Sequence, residues 1–231
     1  MEFTLLGGAA IAVAAMYATL WYEAGRTNAA DCTRDVWDAL VGALVVGLIV
    51  GRLVAMVVAG TNPLTNLGDI LIVRGGVDTV AASMAGLSSF AWTTRSDTWG
   101  LFDAAGPAAI AGLAGWHGGC LVRDACLGTG SDLPWAMTQS GSSITRHPVE
   151  LYAVLGLVVL GVALMLWKRH RPAAGVIGLL ALSGASLVRL ATEPMRPGLG
   201  GDLTLWYGLA AGTTLIGALW RHRSSHDGNA A

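Results

Sequence analysis

Leu151–Trp167, LYAVLGLVVLGVALMLW, carries no charged side chain and ends against the basic cluster Lys168-Arg169-His170-Arg171. A helix that crosses a bilayer needs roughly 20 mainly apolar residues. This run, with a Trp at its end and cations just beyond, reads as a membrane helix anchored at one interface. Similar runs lie on either side: Phe3 to Tyr22, Asp38 to Ala59 (interrupted only by Arg52), Leu101 to Val122, Ala173 to Val188 and Leu203 to Trp220. A shorter one, Val77 to Trp92, is rich in Ala, Gly and Ser.

Composition supports this reading. Of 231 residues, 54% are hydrophobic and 13% charged, against about 25% charged in soluble domains. Such a chain cannot cover its surface for water. The 32 glycines suit close helix–helix approach in lipid. A net charge of −1 gives no general basic character for binding nucleic acid. The expected architecture is an all-α integral membrane bundle of about seven transmembrane helices. Residues 1–223 form a single polytopic membrane domain, and 224–231 a short polar tail. The first run follows Glu2 with no basic residue before it, so it reads as a retained helix and not a cleaved signal.

Orientation follows from Lys and Arg in the connections. With the N-terminus outside, the inward side holds Arg26, Arg34, Arg95, Lys168, Arg169, Arg171, Arg221 and Arg223, and the outward side Arg74, Arg123, Arg146, Arg189 and Arg196. That majority predicts a cytoplasmic C-terminus. Trp21, Trp92, Trp99, Trp167, Trp206 and Trp220 fall near run ends, as an aromatic belt does. No internal repeat of the kind common in transporters stands out.

Ionisable groups at membrane depth mark candidate sites. Arg52 follows Gly51 near the outer end of the second run and either snorkels to the interface or contacts an anion. The segment Trp116-His117-Gly118-Gly119-Cys120-Leu121-Val122-Arg123-Asp124-Ala125-Cys126-Leu127-Gly128 packs an imidazole, two thiols and a charge pair together. His117 is suited to accept a proton near neutral pH. Asp132-Leu133-Pro134-Trp135 reads as a turn. In Arg146-His147-Pro148-Val149-Glu150-Leu151-Tyr152, Pro148 starts a helix and Glu150 falls in its first turn, where the helix dipole favours an acid. Arg189 and Glu193, one helical turn apart, can pair, and Pro194 ends that helix. Guanidinium groups on the outward side suit a lipid phosphate. The cysteines, Cys32, Cys120 and Cys126, are odd in number and lack C-x-x-C spacing, which points neither to a disulfide framework nor to zinc. No metal or organic cofactor is suggested.

Together these segments resemble the prolipoprotein diacylglyceryl transferase family. Arg146-His147-Pro148 with Leu151-Tyr152 resembles its Arg-His-Pro-Ser-Gln-Leu-Tyr-Glu signature, and Arg189, Glu193 and Arg196 match its Arg-x3-Glu-x2-Arg pattern. Arg52 matches a Gly-Arg in its second helix. Gly119 and Gly128, followed by Asp132 to Trp135, fit its glycine-framed signature. There are departures: His117 stands for Arg, Cys120 for Asn, Ala125 for Glu, and Val149-Glu150 for Ser-Gln. There is no His near Ala81 to Ser83, and Tyr17 and Tyr22 fall too late for the family's N-terminal tyrosine.

The resemblance implies transfer of a diacylglyceryl group from phosphatidylglycerol to the lipobox cysteine of a prolipoprotein, in a bacterial plasma (inner) membrane, by a multi-pass protein with a seven-span, N-out topology. It assigns catalysis to Arg189 and Glu193; His117, from its position alone, is the candidate base that compensates for the missing histidine. The phospholipid head falls to Arg52, Arg146, His147, Glu150, Tyr152, Arg196, Arg123 and Gly128. Alternatives are a relative acting on another thiol or lipid, with Cys120 and Cys126 as a redox or carrier site, and a non-catalytic lipid-binding membrane protein.

Overall fold

The structure, a computed structural model, describes residues 3–27, 30–63, 65, 77–121, 126–139, 141–197 and 203–227. Seven α-helices occur among them: α1 Phe3–Thr27, α2 Ala30–Val58, α3 Thr79–Thr93, α4 Thr98–Leu121, α5 Val149–Lys168, α6 Val176–Thr192 and α7 Thr204–Asp227. Every apolar run in the sequence is one of these helices. The only strands among the described residues are Met137–Thr138 (β1) and Thr145–Arg146 (β2), an antiparallel hairpin pairing Met137 with Arg146. α7 continues through 224–227, within the polar segment at its end. Ser224 and Ser225 return their hydroxyls to the carbonyls of Trp220 and His222, so these polar residues stay within the helix.

Three helical stretches, Asp35–Val58, Val149–Lys168 and Val176–Met195, are long and apolar enough to cross a membrane. Their packing is that of a bundle in lipid. On α5 the large aliphatics Leu155, Val159, Val162 and Leu166 face outward, Val159 at 69% exposure, while Ala153 is completely buried. A water-soluble helix places its large apolar residues the other way round.

Small residues set the contacts between helices. Gly119 lies over Gly8, Gly115 over Ala12 and Gly112 against Met16, so α4 and α1 run antiparallel with their backbones nearly touching. Gly47 and Gly51 of α2 meet Ala82 of α3 in the same way, and Gly86 returns the contact against Ala43. Gly156 seats the Val188 side chain between α5 and α6. The helix α4 is central. One core cluster joins it to α1, α2 and α3 through Met16, Leu20, Val36, Phe90 and Ala105, and a second joins it to α5 and α6 through Ile110, Leu157 and Ile177. Between α6 and α7, the buried Ser183 hydroxyl donates to the Ala211 carbonyl at 3.0 Å.

Because sequential helices alternate in direction, their polar residues collect at two ends. At one end Lys168 Nζ meets Glu23 at 2.7 Å. There too, Asp103 accepts the N–H groups of Gly175 (2.7 Å) and Gly178 (2.8 Å), so a carboxylate from α4 caps the start of α6. Gly175 takes φ +91°, a left-handed backbone open to glycine at little strain. Arg221 stacks 4.0 Å over Trp99 and donates to the Ala174 carbonyl, which ties α7 to the same corner. The other end holds the candidate site.

Candidate active site

Three chain segments build the site: the end of α4, the hairpin leading into α5, and the turn that ends α6. His117 sits on the last turn of α4 and Glu150 on the first turn of α5, both buried, at 7% and 3% exposure. Glu150 Oε2 bonds His117 Nδ1, and its other oxygen, Oε1, is 2.7 Å from Arg196 Nη1. Arg196 follows the 3₁₀ turn Glu193–Met195, where Pro194 diverts the chain at the end of α6. Within that turn Glu193 Oε2 lies 3.6 Å from Arg189 Nη2 and 3.9 Å from Arg196 Nε. Arg189 also donates to the Tyr207 hydroxyl of α7 at 3.2 Å and stacks 5.3 Å from the centre of its ring. His117, Glu150, Arg196, Glu193 and Arg189 thus form one continuous chain of contacts, with two carboxylates set between the imidazole and the two guanidinium groups.

A glycine joins the hairpin to this chain. Gly128 lies against the Met195 carbonyl, the Val149 side chain and His147 Cβ, leaving no room for a Cβ. Its N–H donates to the His147 carbonyl at 2.8 Å, and Thr129 N–H donates to the Met195 carbonyl at 2.8 Å. Arg146 Nη1 donates to the Gly128 carbonyl at 3.3 Å. The stitching holds Arg146 and His147 beside the turn that carries Arg196. Gly128→Ala is therefore expected to destabilise the protein by about 1–3 kcal/mol, because an added Cβ would meet the Met195 carbonyl and the Val149 side chain at once. Earlier thermal unfolding in detergent is the readout.

The contact between Cys120 and Cys126 corrects the reading of the cysteines: they form a disulfide. Although six residues apart, the two lie within 5.6 Å at Cα, inside the range a disulfide spans. Spacing alone could not show that approach. Closing so short a loop is worth about 2 kcal/mol. Replacing both cysteines with Ser is expected to remove that stability, as is reduction of the wild type, measured as the same shift in unfolding midpoint.

Arg146 Nε, His147 Nδ1, and Arg196 Nε and Nη2 are buried without a hydrogen-bond partner among the described residues. Leaving a buried donor unpaired costs about 1–3 kcal/mol, more when it is charged. Several such donors beside one turn make a site chemically fitted to an anion with several oxygens.

The remaining expected residues fall as follows. Tyr152 accepts a hydrogen bond from Trp135 Nε1 at 2.8 Å and stacks edge-on to His147. Arg52 is buried on α2, which packs chiefly on α3. Arg123 lies outside the described residues. Sequence reasoning missed Tyr207, whose only signal is a phenol near the start of an apolar run, and the joint role of Glu150.

A family model described as prolipoprotein diacylglyceryl transferase matches residues 3–223. The chain belongs to that family. Similar relatives carry the name phosphatidylglycerol–prolipoprotein diacylglyceryl transferase. One, from Pseudoalteromonas translucida, is 33% identical over 110 residues, covering 46% of this chain and 41% of the relative. Another, from Glaesserella parasuis, is 30% identical over 174 residues, covering 68% and 65%. A third, from Polynucleobacter asymbioticus, is 29% identical over 180 residues, covering 72% and 67%. The chain thus spans less than two thirds of the length of the first two. Within the prolipoprotein diacylglyceryl transferase family, the two positions where the resemblance expects Arg and Gln hold His117 and Glu150 here, and these two side chains touch.

Proposed function

We propose that this chain transfers a diacylglyceryl group from phosphatidylglycerol to the cysteine thiol of a prolipoprotein lipobox. The observation that carries the reading is the set of buried, unpartnered guanidinium N–H groups on Arg196 and Arg146 beside the His117–Glu150 pair. It joins phosphate-binding donors to a proton acceptor. Arg196 and Arg146 take the phosphate, with His147 and Tyr152 beside them. Arg189, oriented by Glu193 and Tyr207, adds a second fork, and Gly128 fixes the floor. Arg52 and Arg123 belong to the approach for the lipid head.

In the reaction the thiol sulfur forms a bond to the terminal glyceryl carbon. The C–O bond to phosphate breaks, and its electron pair leaves on glycerol phosphate. His117 takes the thiol proton. Guanidinium groups stabilise the charge gathering on the departing phosphate, the interaction that contributes most to such a transition state.

All seven helices cross the plasma membrane in this reading, N-terminus outside and C-terminus in the cytoplasm. The charge bias supports that orientation, and so does the disulfide, since disulfides persist on the oxidising side of a membrane. Residues 1–223 act as one polytopic domain.

The test incubates purified protein with phosphatidylglycerol and a lipobox peptide and looks for the mass of the diacylglyceryl thioether. Product is expected with phosphatidylglycerol and absent when phosphatidylcholine replaces it. Retained phosphatidylglycerol binding without product in any lipid mixture sinks the enzyme reading and leaves a lipid-binding protein.

A further inference from the structure

The geometry points to Glu150 as the positioning residue that sets the tautomer of His117, an inference that rests on the transferase reading above. A carboxylate only accepts hydrogen bonds, so the His117 Nδ1 bonded to it carries the proton. The lone pair then resides on Nε2, the nitrogen left to take a thiol proton. Glu150 is itself held. Arg196 grips Oε1 at 2.7 Å while Oε2 faces the imidazole, and the helix start at Val149 fixes the backbone that carries both contacts. At 3% exposure Glu150 has little freedom to turn. One carboxylate thereby links the phosphate-gripping arginine to the base, and a single rigid element controls both halves of the chemistry.

This arrangement makes Glu150→Gln unusually informative. Arg196 only donates, so the amide oxygen of Gln must face it. The NH₂ group then faces His117 and donates to Nδ1. That moves the ring proton to Nε2, the wrong nitrogen for a base. A carboxylate-to-amide change that inverts the tautomer of a catalytic histidine drops kcat about 10⁴-fold in a serine protease. Here a kcat loss of about 10³-fold or more is expected. The KM for phosphatidylglycerol should move less than about threefold, since the oxygen facing Arg196 is retained.

The experiment has two arms. Histidine-selective ¹⁵N spectra of the full chain in phosphatidylglycerol nanodiscs, with His117→Gln to assign its signals among the five histidines, report the tautomer directly. The wild type is expected to show Nδ1 protonated, and Glu150→Gln to show Nε2 protonated. The second arm measures kcat and KM for wild type, Glu150→Gln and Glu150→Asp, the last recovering part of the lost kcat. An Nε2-protonated wild type overturns the inference even if the variant fails to fold. So does a Glu150→Gln enzyme with unchanged kcat, or one whose loss lies entirely in KM. Absence of product from the wild type overturns the transferase reading and this role with it, whereas an active wild type with an indifferent Glu150→Gln overturns this role alone.

Discussion

Arg196→Ala is expected to lower kcat/KM by about 10³-fold and to destabilise the protein as well. Arg196 is the cation for two carboxylates, 2.7 Å from Glu150 and 3.9 Å from Glu193. Removing one partner of a buried ion pair costs about 3–5 kcal/mol, because the other charge stays in a poorly solvated place. Glu150, at 3% exposure, is such a group. Its stranded charge would pull on His117, so the substitution reaches the base as well as the phosphate. Arg196→Lys separates the two effects. An ammonium restores a cation beside Glu150 and most of the stability, yet it cannot span Glu150 and Glu193 while offering further donors to a phosphate. The expected pattern is near-normal unfolding for Lys with activity still low. A Lys enzyme within about threefold of wild type would refute the fork-like role assigned to Arg196.

His117→Ala is expected to lower kcat by about 10²–10⁴-fold, the usual contribution of a positioned general base, with little change in the KM for phosphatidylglycerol. The ring is buried on the last turn of α4 and bonded to Glu150. Added imidazole should restore part of the rate to His117→Ala and none to Arg196→Ala, since small bases replace a proton acceptor but not a guanidinium fork. Rates for His117→Ala matching the wild type across pH would remove the imidazole from the mechanism.

Much of this protein is legible in one dimension. Each apolar run became a helix, because an uninterrupted apolar stretch can satisfy its backbone in lipid only by coiling on itself. The Arg189–Glu193 pair follows from helical spacing, and the end of α6 from Pro194. The abundance of glycine points to close helix packing, and Gly47, Gly51 and Gly119 each lie at a helix contact.

Contacts that depend on how helix ends meet were not legible. The cysteines are odd in number, and nothing in their spacing announces that Cys120 and Cys126 lie within reach of each other. Glu150 looked like a dipole-stabilised carboxylate or a headgroup contact, and its sequence neighbours say nothing of His117 and Arg196, which arrive from α4 and the end of α6. Tyr207 went unnoticed for the same reason, as its partner Arg189 lies on another helix.

The sequence by itself therefore determined a helical membrane protein of this family, with its candidate residues named. Periodicity and hydropathy act along a single helix, and a few residue types carry the chemistry wherever they stand. Only the tertiary structure decided which of those residues work together. It closed the disulfide and placed Glu150 between His117 and Arg196. The physical reason is that pairing of buried charges is set by the crossing of helices far apart in the chain, where each unpaired group is costly enough to select a partner that no local pattern records.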